Sequence, residues 1–182
     1  MGVLMCVVGI GIVCFCFPYI RCFFKRLSLL SKIKNSCREK GYCLQGTHPF
    51  WFLGGKRGKR CDCTIETAEE VLAIKLFGMS RRKRVLVFTE KKEYFTRFLV
   101  GVLLLIRESF DSKEKQLPEY DFVQVGKAVS SDKKLRQILL VNPVPMEMLM
   151  QAENAKETIL SPGDEVYGME IANLSWLLRQ LQ

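Results

Sequence analysis

Three side chains that could carry out catalysis lie close together in the stretch Cys61–Phe77. The stretch predicts two strands joined by a tight polar turn, with Asp62 and Glu66 on the first strand and Lys75 on the second. If the turn centres on Ala68-Glu69, Asp62 faces Lys75, because side chains alternate along a strand and cross-strand partners share a face. A carboxylate beside a lysine can be part of a metal-dependent hydrolytic site or an ordinary ion pair, and both interpretations stay open.

The surrounding sequence predicts an α/β domain (α+β is the variant), with a mixed sheet flanked by helices. Apolar residues at helical spacing predict an amphipathic helix over residues 27–41 that stops at Gly41. Residues 146–158 fit neither a helix nor a strand clearly. The other expected elements are extended residues 42–53, a loop over Gly54–Arg60, a strand over Val85–Phe88, a turn over Glu90–Glu93, a buried strand or helix over 94–106, a charged loop over 111–121, a strand over Arg136–Val141, a turn over Ser161–Asp164, a strand over Glu165–Ile171 and a helix over Ala172–Leu181.

Residues 2–20 contain no charge and match the thickness of a bilayer. A helix of this length spans roughly 28 Å, against about 30 Å of hydrocarbon. Arg21 and Lys25 follow at once, and by the positive-inside rule they place the downstream chain in the cytoplasm. We therefore expect a single-pass membrane protein with an anchor within residues 1–24 and a cytoplasmic domain over 25–182. A buried helix, a misassigned start codon and a cleaved signal peptide are the alternatives.

The positive charge is concentrated in one part of the chain. Residues 21–100 hold 19 Lys and Arg against 7 Asp and Glu, whereas residues 101–182 hold 9 against 12. This distribution indicates an anionic partner, either nucleic acid or anionic phospholipid, although a generally basic protein without such a partner is the alternative. The expected contact residues form two clusters that flank the hairpin: Lys56, Arg57, Lys59, Arg60, Arg81, Arg82, Lys83 and Arg84.

Several common catalytic and metal-binding patterns are absent from the sequence. The eight cysteines contain no C-x-x-C pair and match structural zinc spacing poorly, so reduced thiols in a cytosolic compartment are expected. His48 is the sole histidine, and without a nucleophile elbow the sequence gives little support to a Ser-His-Asp hydrolase. The loop Gly54–Arg60 is not a phosphate-binding P-loop, because Leu53 and Arg60 occupy positions that require Gly and Ser or Thr.

From residue 27 onward the expected order is helix, strand, strand opening with Asp, strand carrying Lys, and a later buried strand. This order resembles the core of the PD-(D/E)xK, or restriction-endonuclease-like, superfamily over residues 27–90 and 136–142. The resemblance implies that Asp62 matches the metal-binding acid and Lys75 the lysine that orients the attacking water. In an active member of that superfamily the metal is a divalent cation such as Mg²⁺.

The chain departs from the superfamily pattern at the second acid. Ala73 stands where Asp or Glu belongs in the tripeptide ending at Lys75, and Cys61 replaces the proline before Asp62. Glu66 could substitute, but two residues along a strand span roughly 6.6 Å, which is far for a shared ion. We therefore expect a degenerate, non-catalytic domain without a cofactor that binds an anionic partner. A nuclease with a rearranged site and a membrane-surface structural or interaction protein are the alternatives.

Overall fold

The computed structural model describes residues 23–46, 61–78, 84–102, 106–111, 113–117, 120 and 133–182. These residues form two helices and twelve strands in two sheets, which agrees with the expected mixed α/β class. Helix α1 covers residues 23–40 and α2 covers Leu174–Gln180. The strands are β1 (Cys43–Gly46), β2 (Cys63–Glu66), β3 (Glu70–Gly78), β4 (Val85–Thr89), β5 (Glu93–Val102), β6 (Ile106–Asp111), β7 (Lys115–Gln116), β8 (Lys134–Asn142), β9 (Glu147–Gln151), β10 (Glu157–Ile159), β11 (Glu165–Val166) and β12 (Met169–Ala172).

The first sheet has the order β1-β2-β3-β8-β12-β11 and contains both parallel and antiparallel pairs. Its centre is the parallel pair of β3 and β8, which runs from Glu70 opposite Lys134 to Gly78 opposite Asn142. Strand β3 is buried at every position from Val71 to Phe77. A continuous apolar run of this kind is typical of a strand that is covered on both faces.

Two different layers cover the faces of the first sheet. On one face, α1 and α2 contribute Leu29, Ile33 and Leu177 to a core that includes Ile74. On the other face, a second sheet with the order β10-β9-β4-β5-β6 contributes Phe88 to another core. The expected sheet flanked by helices is therefore wrong for one face, because a second sheet takes the place of a helix layer there.

Helix α1 ends at Gly41, as its sequence predicts. Gly41 has a positive φ of 71°, a conformation that glycine adopts without a steric penalty. The amide of Tyr42 donates to the carbonyl of Cys37 at 2.9 Å, and the amide of Gly41 donates to that of Arg38 at 3.3 Å. This pair of bonds is a Schellman cap, which satisfies carbonyls that a helix end leaves without intrahelical partners.

The predicted single strand Glu165–Ile171 is wrong, because the chain reverses inside it. Tyr167 and Gly168 have positive φ values of 54° and 81° and connect β11 to β12. Two successive residues with positive φ form the tight turn that matches the twist of a two-stranded hairpin. The helix that follows is also shorter than expected: Asn173 caps it by accepting a hydrogen bond from the amide of Trp176 at 2.8 Å.

The long apolar and ambiguous segments are strands. The segment 94–106 is the strand β5 for most of its length, and β6 begins at Ile106. The ambiguous segment 146–158 forms β9 and most of β10, and β9 lies beside β4 in parallel. The charged loop 111–121 includes the short strand β7.

Some of the sequence predictions fall outside the described residues. They include the anchor over residues 2–20, the loop Gly54–Arg60 and most of the extended segment 42–53. Within the part of the chain that the structure describes, no helix combines the length and apolar character needed to cross a bilayer.

Candidate site around Asp62 and Lys75

Strands β2 and β3 form the predicted hairpin in the predicted register. Thr64 pairs with Ala73, and the amide of Asp62 donates to the carbonyl of Ile74 at 2.8 Å. This bond extends the pairing by one residue beyond β2 and places Asp62 next to Lys75. The Lys75 Nζ atom lies 3.3 Å from Asp62 Oδ2, so the two residues form an ion pair.

The Asp62 carboxylate accepts from at least three donors although its residue is only 5% exposed. The Arg26 guanidinium contacts Oδ1, and the backbone amide of Leu76 donates to Oδ2 at 2.8 Å in addition to the Lys75 contact. Arg26 comes from α1, whereas the other two donors come from β3. The carboxylate therefore joins the helix layer to the centre of the first sheet.

Lys75 is 7% exposed and lies on the face of β3 that contributes Ala73 and Phe77 to the core between the two sheets. Burial lowers the pKa of Lys75 below its ordinary value, because the charged amine loses water; Asp62 opposes this shift and Arg26 adds to it. The Nζ atom also lies 5.2 Å from the centroid of the Tyr120 ring, within range of a cation–π interaction. Burial raises the pKa of Tyr120 to about 12, so the ring is a neutral phenol at physiological pH.

The structure does not bring a second acid to Asp62. Glu66, the expected substitute, lies at the opposite end of β2 and pairs with Lys133 at 2.8 Å. Ala73 is fully buried in the core between the two sheets. Over the described ranges, no group of three or more His, Cys, Asp or Glu side chains is arranged to hold a metal ion.

Arg26 and Tyr120 belong to the site but were not identified from the sequence. The sequence did contain a signal for Arg26. Ile33 and Cys37, which form part of the buried face of α1, follow it by 7 and 11 positions, so all three residues share one face of the helix. A cation on that stripe requires a buried partner, and Asp62 supplies it. Tyr120 gave no comparable signal, because only the folded chain places it against Lys75.

The two basic clusters lie largely outside the described residues. Of their eight members only Arg84 is described; its Nη1 atom donates to the Thr96 hydroxyl at 3.3 Å, and its side chain is half-buried. The structure nevertheless describes the residues at which the segments that contain these clusters join the first sheet. The segment 47–60 follows Gly46, which pairs with Cys63, and the segment 79–83 follows Gly78, the last residue of β3. Both segments therefore leave the first sheet at the end where Asp62 lies.

The described cysteines are free thiols, and three of them are buried: Cys37, Cys61 and Cys63. Burial raises the pKa of Cys63, and the nearby Asp62 carboxylate adds to the effect. A protonated, inaccessible thiol is a poor nucleophile, so Cys63 is a core residue of the helix-facing side of the sheet.

Comparison with known proteins does not assign the chain to a family. No family model, curated protein or solved structure matches it. The resemblance to the restriction-endonuclease-like superfamily stays a prediction from element order, Asp62 and Lys75.

Proposed function

We propose that this protein is a binding module without catalytic activity, which residues 2–20 hold at a membrane and which attaches to an anionic partner. The observation that carries the non-catalytic part is the pairing of the buried Asp62 carboxylate with two cations, Arg26 and Lys75. A divalent metal ion needs several convergent oxygen ligands. In this site a single carboxylate already faces two cations, and their positive charge would oppose the binding of a metal ion beside them.

A nuclease with a rearranged site is the alternative, and the proximity of Asp62 and Lys75 favours it. Such a site needs at least a second carboxylate within reach of one ion. Glu66 is paired with Lys133, and Ala73 faces an apolar core. Both observations favour the binding module, in which the superfamily scaffold is kept and Asp62 has a structural role.

The anionic partner is inferred from charge. The segments 47–60 and 79–83 together contain seven Lys and Arg and no Asp or Glu. Contacts between such residues and phosphates are independent of sequence and weaken with salt, because binding releases counterions. Each basic residue near an anionic membrane contributes about 1 kcal/mol. Seven cations attached to one end of a sheet can therefore bind an anionic partner without a specific binding pocket.

The non-catalytic part is tested with the full chain in a neutral detergent. Wild type and Asp62→Asn are incubated with plasmid DNA and with single-stranded RNA in millimolar Mg²⁺ or Mn²⁺, and products are followed over time. We expect both proteins to leave the nucleic acids intact. Cleavage by wild type that is lost in Asp62→Asn would show that the nuclease interpretation is correct.

The anion-binding part is tested on a heparin column with a salt gradient. The double variant Arg81→Gln/Arg82→Gln should elute at lower salt than wild type, because two cations that would contact the sulfate groups of heparin, which mimic phosphates, are lost. The matched control is Lys91→Gln/Lys134→Gln, which removes the same charge from exposed residues elsewhere. Equal shifts for the two double variants would mean that net charge alone controls binding, and the proposal would fail.

A further inference from the structure

Helix α1 has a cationic outer face, the face that is turned away from the first sheet. Residues 23–40 contain six Lys and Arg and a single acid, Glu39. Arg26 turns inward and contacts Asp62. Four of the other cations are exposed and form no ion pair with a described carboxylate: Lys25, Lys32, Lys34 and Arg38. Their positive charge is therefore available to a partner.

A ridge of small polar side chains runs along the middle of this face. Ser28, Ser31 and Asn35 are exposed and lie three and four positions apart, so they follow one side of the helix. At about 3.6 residues per turn, these side chains point away from the buried residues Ile33 and Cys37. The ridge is therefore the part of α1 that lies farthest from the first sheet.

The four cations form one row on each side of this ridge. Lys25 and Lys32 are separated by close to two helical turns and follow one side. Lys34 and Arg38 are separated by about one turn and follow the other side. From Lys25 to Arg38 the rows extend for roughly 20 Å at about 1.5 Å per residue, and a helix with its side chains is about 10–12 Å wide. The outer face of α1 is therefore a long and narrow cationic surface.

Helix α2, which lies in the same layer, does not neutralise this surface. The Lys40 amine donates to the carbonyl of Gln182 at 3.1 Å, so the C-terminal ends of the two helices are adjacent. Helix α2 contains no acidic side chain and carries the exposed residue Arg179 in its last turn. An anionic partner that lies along α1 therefore meets a further positive charge at α2.

We propose that the outer face of α1 binds the phosphate backbone of nucleic acid. Contacts to phosphates come from Lys and Arg and also from Ser and Asn side chains, which are the residue types of the two rows and the ridge. Phospholipid fits less well, because a helix in a membrane interface presents a row of large apolar side chains, whereas this face has the polar ridge and one exposed aromatic ring, Phe24. The inference goes beyond the proposed function, which rests on the segments 47–60 and 79–83, because the outer face of α1 can bind whether or not those segments do.

The first measurement is the salt dependence of binding to a short, fluorescently labelled DNA duplex, with the full chain in neutral detergent. The double variant Lys32→Gln/Arg38→Gln removes one cation from each row. It should lower the magnitude of the slope of log Kobs against log salt concentration by about 2, because each phosphate contact contributes about 0.9. The matched control Lys91→Gln/Lys156→Gln removes the same charge from exposed loop residues of the second sheet, and its slope should stay close to that of wild type.

The second measurement locates the bound DNA on the wild-type protein. Individual lysines are labelled with an amine-specific reagent, with and without the duplex, and labelling rates are read by mass spectrometry. We expect Lys32 and Lys34, which lie in opposite rows, to label more slowly when DNA is bound. Lys91 and Lys156 should label at the same rate in both samples. Protection of Lys32 and Lys34 without protection of the lysines in segments 47–60 and 79–83 would support the inference and contradict the proposed role of those segments.

Three outcomes would overturn the inference. Equal changes of slope in the two double variants would mean that net charge alone controls binding. Protection by DNA of lysines in segments 47–60 and 79–83, without protection of Lys32 and Lys34, would leave the proposed function intact and exclude the outer face of α1. Protection of Lys32 and Lys34 by phosphatidylglycerol vesicles, without protection by DNA, would mean that this face binds phospholipid.

Discussion

At the scale of single residues, Asp62 connects two layers of the protein through one buried carboxylate. Its donors are Arg26 of α1 and two groups of β3, the Lys75 amine and the Leu76 amide. A buried ion pair contributes little net stability, but removal of one member leaves an unpaired buried charge. The cluster of Arg26, Asp62 and Lys75 therefore determines how α1 packs on the β2–β3 hairpin more than it adds to the free energy of folding.

Arg26 and Lys25 form a matched pair for this interpretation, because they are adjacent and carry the same charge. Arg26→Gln should lower the free energy of unfolding by about 1–3 kcal/mol, since Asp62 loses a charged donor in a buried site. Lys25→Gln should change it by less than about 0.5 kcal/mol, because Lys25 is exposed. Denaturant unfolding of the full chain in neutral detergent measures both. Equal effects would mean that the Arg26 contact has no structural role.

The lowered pKa of Lys75 predicts a dependence of stability on pH. Between its folded-state pKa and the ordinary value of 10.5, the unfolded chain holds the Lys75 proton and the folded chain has lost it. The unfolded state then binds more protons, so the Lys75 contribution makes stability rise with pH across this window. The free energies of unfolding of wild type and Lys75→Met are measured from pH 8 upward. As the pH rises, the stability of wild type relative to Lys75→Met should increase. A difference that moves the other way would mean that ion pairing outweighs burial.

At the scale of elements, local signals were sufficient for the hairpin and for the end of α1. Alternation in Cys61–Phe77 predicted the register of β2 and β3, and Gly41 predicted the helix cap. The prediction of one continuous strand over Glu165–Ile171 was wrong, because the hydrophobic pattern continues across the turn at Tyr167 and Gly168. The glycine was a turn signal, but a tyrosine with positive φ before it is uncommon.

The cap at Gly41 allows a quantitative prediction for one element. Gly41→Ala should destabilise the protein by about 1–2 kcal/mol, because a residue with a Cβ at positive φ carries that penalty. The added Cβ would meet no atom within 4 Å, so no steric clash contributes. Gly78→Ala is the control: its site is equally open, without the positive φ, and its cost should be smaller. Thermal unfolding compares the two, and equal losses would mean that the cap conformation is not the cause.

At the scale of the whole molecule, the sequence indicated a mixed α/β domain but not its second sheet. The pairing of β4 with β9 joins residues about 60 positions apart, and no local periodicity reports such a contact. The apolar segment 94–106 was compatible with either a helix or a strand for the same reason. The candidate site was predicted as the pair Asp62 and Lys75; its burial and its third member, Arg26, depend on how α1 packs.

The charge distribution of the chain becomes informative only at this largest scale. Segments 47–60 and 79–83 carry seven Lys and Arg and attach at Gly46 and Gly78, the end of the first sheet where Asp62 lies. At the opposite end the acids are balanced by cations, because Glu66 pairs with Lys133 and Glu70 pairs with Arg136. Of the two ends of this sheet, excess positive charge is therefore expected only at the one to which the two segments attach.

The most direct test of the account is the stability of Asp62 variants with and without a divalent metal. Free energies of unfolding are measured for wild type, Asp62→Asn and Asp62→Ala, each with and without millimolar Mn²⁺. We predict that Asp62→Ala loses about 3–5 kcal/mol, because Arg26 and Lys75 are left without their carboxylate, and that Mn²⁺ adds no stability that depends on Asp62. An Asp62→Ala variant as stable as wild type, together with Mn²⁺ stabilisation of wild type alone, would contradict the account and identify Asp62 as a metal ligand.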